Sequence, residues 1–128
     1  MKGPRLFRLG DLQLRIMQIL WRQSEATVSD VHRILGAERE LAYTTVATML
    51  RKMESKGLVR HRLDGRSFIY RPAVAEAAVS KGMAGHLLEK LFEGSLSDMV
   101  NHLLSSREVS REELSKLEQL IAERKKAR

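Results

Sequence analysis

Between Glu40 and Pro72 the chain changes from a helical to a strand-like rhythm, and that change restricts the folds open to it. Val46, Met49, Leu50 and Met53 recur at i, i+3, i+4 and i+7, the spacing of one buried helical face. Gly57 follows Lys56, where a left-handed residue can close the helix. Leu58 to Leu63 and Ser67 to Tyr70 are rich in branched and aromatic residues, and Asp64-Gly65 between them signals a hairpin. A helix followed at once by a basic hairpin is the pattern of a winged helix-turn-helix.

The periodicities on either side agree with this. Leu12, Ile16, Ile19 and Leu20 mark a first helix from about Asp11 to Arg22, with Asp11 as the expected N-cap and Trp21 as a core plug. Gln23 to Ala26 reads as a polar break. Thr27 then caps a second helix, with Asp30 completing a capping-box pair, Val31, Ile34 and Leu35 as the inner stripe and Gly36 as its end.

After Pro72 the composition shifts to strong helix formers. An apolar face runs through Val79, Met83, Leu87 and Leu91, despite Gly82 and Gly85, and Gly94 breaks it. A short helix is expected from Ser97 to Ser105, with Met99, Val100, Leu103 and Leu104 apolar. Ser110 and Glu113 form a second capping box, with Val109 and Leu114 as its staple. Leu114, Leu117, Leu120 and Ile121 continue that helix before a solvated tail from Glu123 to Arg128. The expected fold is therefore mainly α with a small β-hairpin. A winged helix-turn-helix DNA-binding domain spans residues 1–72, and a three-helix dimerisation segment spans 73–128.

Charge is distributed as unevenly as the motifs. Of the net +7, residues 1–72 carry all the excess, with 14 Lys+Arg against 7 Asp+Glu; residues 73–128 carry 9 of each. A basic unit joined to a neutral one is the electrostatic footprint of a nucleic-acid binder. On the third helix, with Val46, Met49, Leu50 and Met53 turned inward, Tyr43, Thr44, Ala47, Thr48 and Arg51 face outward and Thr45 sits at the border. Threonine hydroxyls can donate to phosphates or base acceptors, and the Ala47 and threonine methyls can meet a thymine methyl. Arg51 lies more than two turns into the helix and suits a phosphate. On the hairpin, Arg60, Arg62 and Arg66 flank the tip and suit the phosphate backbone or the minor groove, with Arg60 and Arg62 on the strand face opposite Val59, His61 and Leu63. The bland reading is a solvated edge whose charges deter aggregation. Arg5 and Arg8 could form a basic arm.

Three short helices after Pro72 bury too little surface to stand alone. The expected cover is a second copy about a two-fold axis, through Met83, Leu87, Leu91, Leu103, Leu114, Leu117 and Ile121; the alternative is folding back on the N-terminal domain.

The run LAYTTVATMLRKMESKGLVRHRLDGRSFIYRP and the opening LGDLQLRIMQILW resemble the penicillinase-repressor family, the BlaI/MecI/CopY-like transcriptional repressors, over nearly the whole chain. The resemblance implies a homodimeric winged-helix repressor on an inverted-repeat operator, often of TACA/TGTA type. It places Thr44, Thr45, Ala47 and Thr48 on the DNA-facing helix and assigns dimerisation to residues 73–128. The copper-responsive branch carries a cysteine motif, and this chain has no cysteine, so copper sensing through thiolates is excluded. The antibiotic-resistance branch is released when a sensor-triggered protease cuts between asparagine and phenylalanine. Asn101-His102 stands at the matching place with the asparagine kept, so cleavage there and a merely polar surface residue are both open.

No catalytic signature is present: HExxH, GxSxG, GxxxxGK[ST] and GxGxxG are all missing. His86 and Glu89 offer two ligands at i, i+3, a spacing common by chance, so neither metal nor other cofactor is expected. No apolar run approaches the ~18 to 20 residues of a membrane span. MKGPRLFRLG lacks the apolar region of a secretory signal, and a cysteine-free chain suits the cytoplasm. Two rivals remain. One is a winged helix that binds an acidic protein partner; the other is a multidrug-response type regulator with its own small-molecule pocket.

Overall fold

The computed structural model describes residues 9–128; Arg5 and Arg8, read above as a basic arm, lie outside them. In chain order the elements are α1 (Asp11–Gln23), β1 (Ala26–Thr27), α2 (Val28–Gly36), α3 (Tyr43–Ser55), β2 (Val59–Asp64), β3 (Ser67–Pro72), α4 (Glu76–Phe92), α5 (Leu96–Ser105) and α6 (Arg111–Lys126). The architecture is the expected one, mainly helical, with one added strand.

That strand is β1. It pairs antiparallel with β3 through Ala26↔Tyr70 and Thr27↔Ile69, and β3 pairs with β2, giving the order β1-β3-β2. Ala26 is buried beneath Tyr70, so the expected polar break ends inside the sheet. The last hairpin pair is Asp64↔Ser67, so the turn residues are Gly65 and Arg66, one position later than the Asp-Gly signal suggests. Gly65 takes φ 64°, which a residue without Cβ adopts freely.

Capping explains most helix starts. Thr27 and Asp30 exchange hydrogen bonds: the Thr27 hydroxyl accepts from the Asp30 amide at 3.1 Å, and Asp30 Oδ2 accepts from the Thr27 amide at 3.0 Å. Those bonds, the backbone one foremost, hold the Asp30 carboxyl below its usual range. Asp11 is the first residue of α1 rather than its cap. Gly10 is the N-cap, its amide donating to Gln13 Oε1 at 3.3 Å, and Asp11 favours the helix by its charge in the first turn. At the other end of α3, Gly57 takes φ 82° and the Leu58 amide reaches back to the Met53 carbonyl at 3.0 Å.

One core holds α1, α2, α3 and the sheet together. Ile16, Met17 and Leu20 of α1 meet Val31 and Leu35 of α2, Val46, Leu50 and Met53 of α3, and Val59 and Tyr70 of the sheet, all at most 2 % exposed. Met49 and Ile34 pack at its margin, as does Trp21, whose indole N–H donates to the Val74 carbonyl at 3.0 Å. The plug is thus amphipathic, with its polar edge satisfied.

The chain divides into two compact units, one ending at His86 and the other Leu87–Arg128, so the boundary falls within α4, beyond the composition shift at Pro72. In the second unit Gly94 (φ 82°) closes α4, its amide bonding the Leu88 carbonyl at 3.1 Å. The Ser95 hydroxyl caps α5, which starts at Leu96, and the Ser110 hydroxyl caps α6 through the Glu113 amide at 3.1 Å. α6 continues to Lys126, so most of the expected tail is helical. Neither α5 nor α6 contains a buried residue.

Candidate nucleic-acid interface

Helix α3 turns its outer face slightly from the one the periodicity predicts, with Thr45 rather than Ala47 and Thr48 fully outward. Tyr43, Thr44, Thr45 and Arg51 are exposed, while Ala47 and Thr48 are half-buried beside the core-facing residues. Arg51 lies along the helix and donates from Nη2 to Thr48 Oγ1 at 3.2 Å, which holds the guanidinium beside a threonine read as base-facing. Ala42 caps α3 without a side-chain hydrogen bond; the Thr45 amide bonds the Ala42 carbonyl at 3.0 Å, which leaves the Tyr43 and Thr44 amides for an anion.

A cleft of about 310 Å³ lies between α3, the hairpin and the start of α2. Tyr43, Ala47 and Arg51 line it from α3, and Arg66, Ser67, Phe68 and Tyr70 from the hairpin. The third wall, Thr27, Val28 and Ser29, was missed as a site in the sequence. Its only signal was the rule that the first helix of a helix-turn-helix crosses the backbone. On the hairpin wall, burial foremost raises the Tyr70 phenol above its ordinary value, with Glu54 adding to the shift, so the phenol stays neutral.

The three hairpin arginines do not converge. Arg66 joins Arg51 in the cleft. Val59 and His61 face the core and α3, so by alternation Arg60 and Arg62 lie on the opposite sheet face. Arg62 is paired there with Glu25 at 2.9 Å, which raises its pKa, and Arg60 stands opposite Arg71 in the strand register. Arg15 is bound to Glu38 through both its Nε and Nη2 nitrogens.

His61 keeps its place on the alternating face and takes on more than the alternation predicts. Its Nδ1 meets both Glu54 carboxylate oxygens at 2.7 and 2.9 Å, and its amide donates to Glu54 Oε2 at 3.2 Å. Its ring stacks on Phe68, centroids 4.0 Å apart and planes 8° from parallel. The sequence held no signal for this, because the partners sit on different elements.

In the second unit the expected dimer residues are unevenly covered. Leu87, Leu91, Leu103, Leu114 and Ile121 are exposed, between 39 % and 68 %, whereas Met83 of the first unit and Leu117 are half-buried. Leu96, Val100, Leu104 and Leu120 are exposed as well, and Leu96, Leu120 and Ile121 share an apolar hollow rimmed by Arg124, Lys125 and Arg128. Asn101 and His102 are exposed but lie inside α5, where the Ser105 hydroxyl donates to both their carbonyls. Among the described residues there is no group of three or more metal-ligating side chains, and no helix is long and apolar enough to cross a membrane.

Comparison with known proteins places the fold in a family. The penicillinase repressor family model matches residues 9–123. The penicillinase repressor of Bacillus licheniformis is 28 % identical over 118 residues, 92 % of each chain. The transcriptional regulator BlaI of Mycobacterium tuberculosis is 36 % identical over 121 residues, covering 93 % of this chain and 86 % of that one. The solution structure of the DNA-binding domain of the repressor BlaI superposes with a TM-score of 0.52 at 27 % identity, over 58 % of this chain and 90 % of that one. A mutant MarR from E. coli, 16 % identical over 91 % of this chain and 77 % of that one, shares the fold with a TM-score of 0.55. The chain belongs to the penicillinase repressor family of winged-helix transcriptional repressors.

Proposed function

We propose that this repressor grips an inverted-repeat DNA operator as a homodimer in the cytoplasm. The observation that carries the reading is the cleft where the α3 residues Tyr43, Ala47 and Arg51 meet Arg66 of the wing on the basic half of the chain. α3 lies in the major groove, with Thr44, Thr45, Ala47 and Thr48 toward base edges. Arg51 and Arg66 take phosphates, as do the Tyr43 and Thr44 amides at the start of α3. Arg60 and Arg62 play a lesser part, since they face away from α3. Few of these side chains can make bidentate base contacts, so DNA shape and methyl contacts carry much of the specificity.

The dimer reading rests on the second unit. Leucines left wet on α4, α5 and α6 form an apolar surface of the kind that marks an interface, and a self-complementary patch closes about a two-fold axis. Dimerisation joins two recognition helices and raises the effective concentration of the second at its half-site. Repression is steric, by occupation of the operator. Release comes from proteolysis or from another signal; a protease directed at Asn101-His102 would need α5 to open locally, because that bond lies within the helix. No step in this scheme calls for catalysis or a cofactor.

Fluorescence anisotropy on the chain's own upstream duplex and a scrambled one, across a salt series, tests the proposal. Expected is a steep salt dependence, with log K falling at a slope of about −0.9 per phosphate contact, and a clear preference for the native duplex. Arg51→Ala and Arg66→Ala then weaken binding to both duplexes, whereas Thr48→Ala narrows the gap between them. Weak binding that is equal for both duplexes would reject operator recognition and favour an acidic protein partner.

A further inference from the structure

The half of the hairpin nearest its tip stands clear of the core. Val59 and Tyr70 are buried, but two rungs beyond Tyr70 Leu63 is 64 % and Phe68 40 % exposed, and beyond them the turn is exposed throughout. The rung at the edge of the core is His61↔Tyr70, and there Glu54 of α3 reaches the wing. One carboxylate takes both the His61 amide and the His61 ring, and the ring in turn stacks flat on Phe68 across the hairpin. Beyond the core contacts of Val59 and Tyr70, both strands are thus tied to α3 here, β2 through hydrogen bonds and β3 through the stacked ring. Among the described residues no other side-chain hydrogen bond joins α3 to the hairpin.

We propose that Glu54 and His61 form a brace that sets the angle of the wing against the recognition helix, and so places Arg66 on the DNA backbone. The inference rests on the DNA-binding reading above and assigns Glu54 and His61 as positioning residues. From the His61↔Tyr70 rung to the Asp64↔Ser67 rung the lever is about 10 Å, at ~3.3 Å per residue. A tilt of about 10° at the root therefore moves the tip by ~1.7 Å, more than the tolerance of a hydrogen-bonded phosphate contact. An unbraced wing loses that contact on average, and the bases read by α3 are unaffected.

The sign of the effect distinguishes a brace from a bystander. Glu54 is an acid on the basic half of the molecule, so simple electrostatics makes its removal strengthen DNA binding. A brace makes removal weaken it. Glutamine keeps an oxygen that accepts from the His61 amide, and its NH2 can donate to Nδ1 of the neutral ring in its other tautomer, so both links survive without the charge.

Two measurements test this. The absence of native cysteine allows nitroxide labels at Arg33→Cys on α2 and Asp64→Cys near the wing tip, with their distance distribution read by pulsed electron resonance. Glu54→Ala should broaden that distribution and Glu54→Gln leave it unchanged; equal widths in all three chains overturn the brace without reference to DNA. In the anisotropy series, Glu54→Ala should flatten the salt slope by about 0.9, one phosphate contact, and weaken both duplexes alike. Glu54→Gln should bind within about twofold of the parent, well inside the tenfold that 1.4 kcal/mol represents. Added to Arg66→Ala, Glu54→Ala should cost nothing more, because the contact it places is already gone. Tighter binding by Glu54→Ala, or costs that add to those of Arg66→Ala, overturn the proposal. If the parent chain binds neither duplex, the proposed function fails, and the label distances still decide the brace.

Discussion

Replacing Thr27 by alanine tests how α2 is held at the base of the cleft. Thr27 makes two ordered bonds with Asp30, one through its hydroxyl and one through its amide, and alanine removes only the first. An N-cap threonine contributes about 1 kcal/mol, up to ~2 in protein hosts. Because the backbone bond to Asp30 survives, the expected loss is the central value, about 1 kcal/mol. In a unit of this size that corresponds to a fall in Tm of roughly 4 to 8 °C. Urea unfolding should show a lower midpoint at unchanged m, since the surface exposed is the same. Thr27→Ser, which keeps the oxygen, should recover most of the loss. The pH dependence follows from Asp30, whose carboxyl is held below its ordinary range in the fold, chiefly by the Thr27 amide. Its contribution is complete above the ordinary aspartate range and is lost as pH falls through the lowered folded value. Asp30→Asn should therefore lower stability near neutrality and flatten the acid side of the profile. A loss under ~0.3 kcal/mol in Thr27→Ala, or a serine variant no better than the alanine one, would refute the reasoning.

Further outcomes follow from the core, the turn after α3 and the leucine face. Leu50→Ala, fully buried at the centre of α3, should cost about 2 to 5 kcal/mol in urea unfolding, and a smaller loss would mean that neighbours collapse into the space. Gly57→Ala places a Cβ at φ 82° and should lose at least ~1 kcal/mol; a neutral result would show that the turn relaxes freely. Leu91→Asp, at a position 68 % exposed in the single chain, should leave the winged unit folded while sedimentation shows monomer and operator binding falls. A Leu91→Asp chain that still dimerises would move the interface elsewhere.

Elements with strong local chemistry were legible in the sequence. The Thr27–Asp30 box, the inward stripe of α3 and the stop at Gly57 depend on neighbours within one or two turns, and all three stand in the fold. β1 escaped because two residues carry no periodicity; only the pairing with Ile69 and Tyr70 makes Ala26 and Thr27 a strand. Asp11 misled because a good capping residue followed a glycine that could cap as well. For the candidate interface, composition gave the right chemistry and only part of the geometry. Alternation already put Arg60 and Arg62 together, but Glu25, 37 positions from Arg62 in the chain, is visible only in three dimensions. The same holds for Glu54 and His61, one on a helix and the other on a strand.

The bare leucines of α5 and α6 bear on dosage. A lone chain keeps a well-packed winged unit yet has a second unit with almost no interior of its own. On the dimer reading, its persistence then depends on how often two copies meet, so abundance and durability become one variable. Newly made protein below that threshold is exposed to proteolytic turnover, and above it the copies protect one another. Operator occupancy then rises more steeply than in proportion to expression, and a modest fall in synthesis suffices to open the promoter.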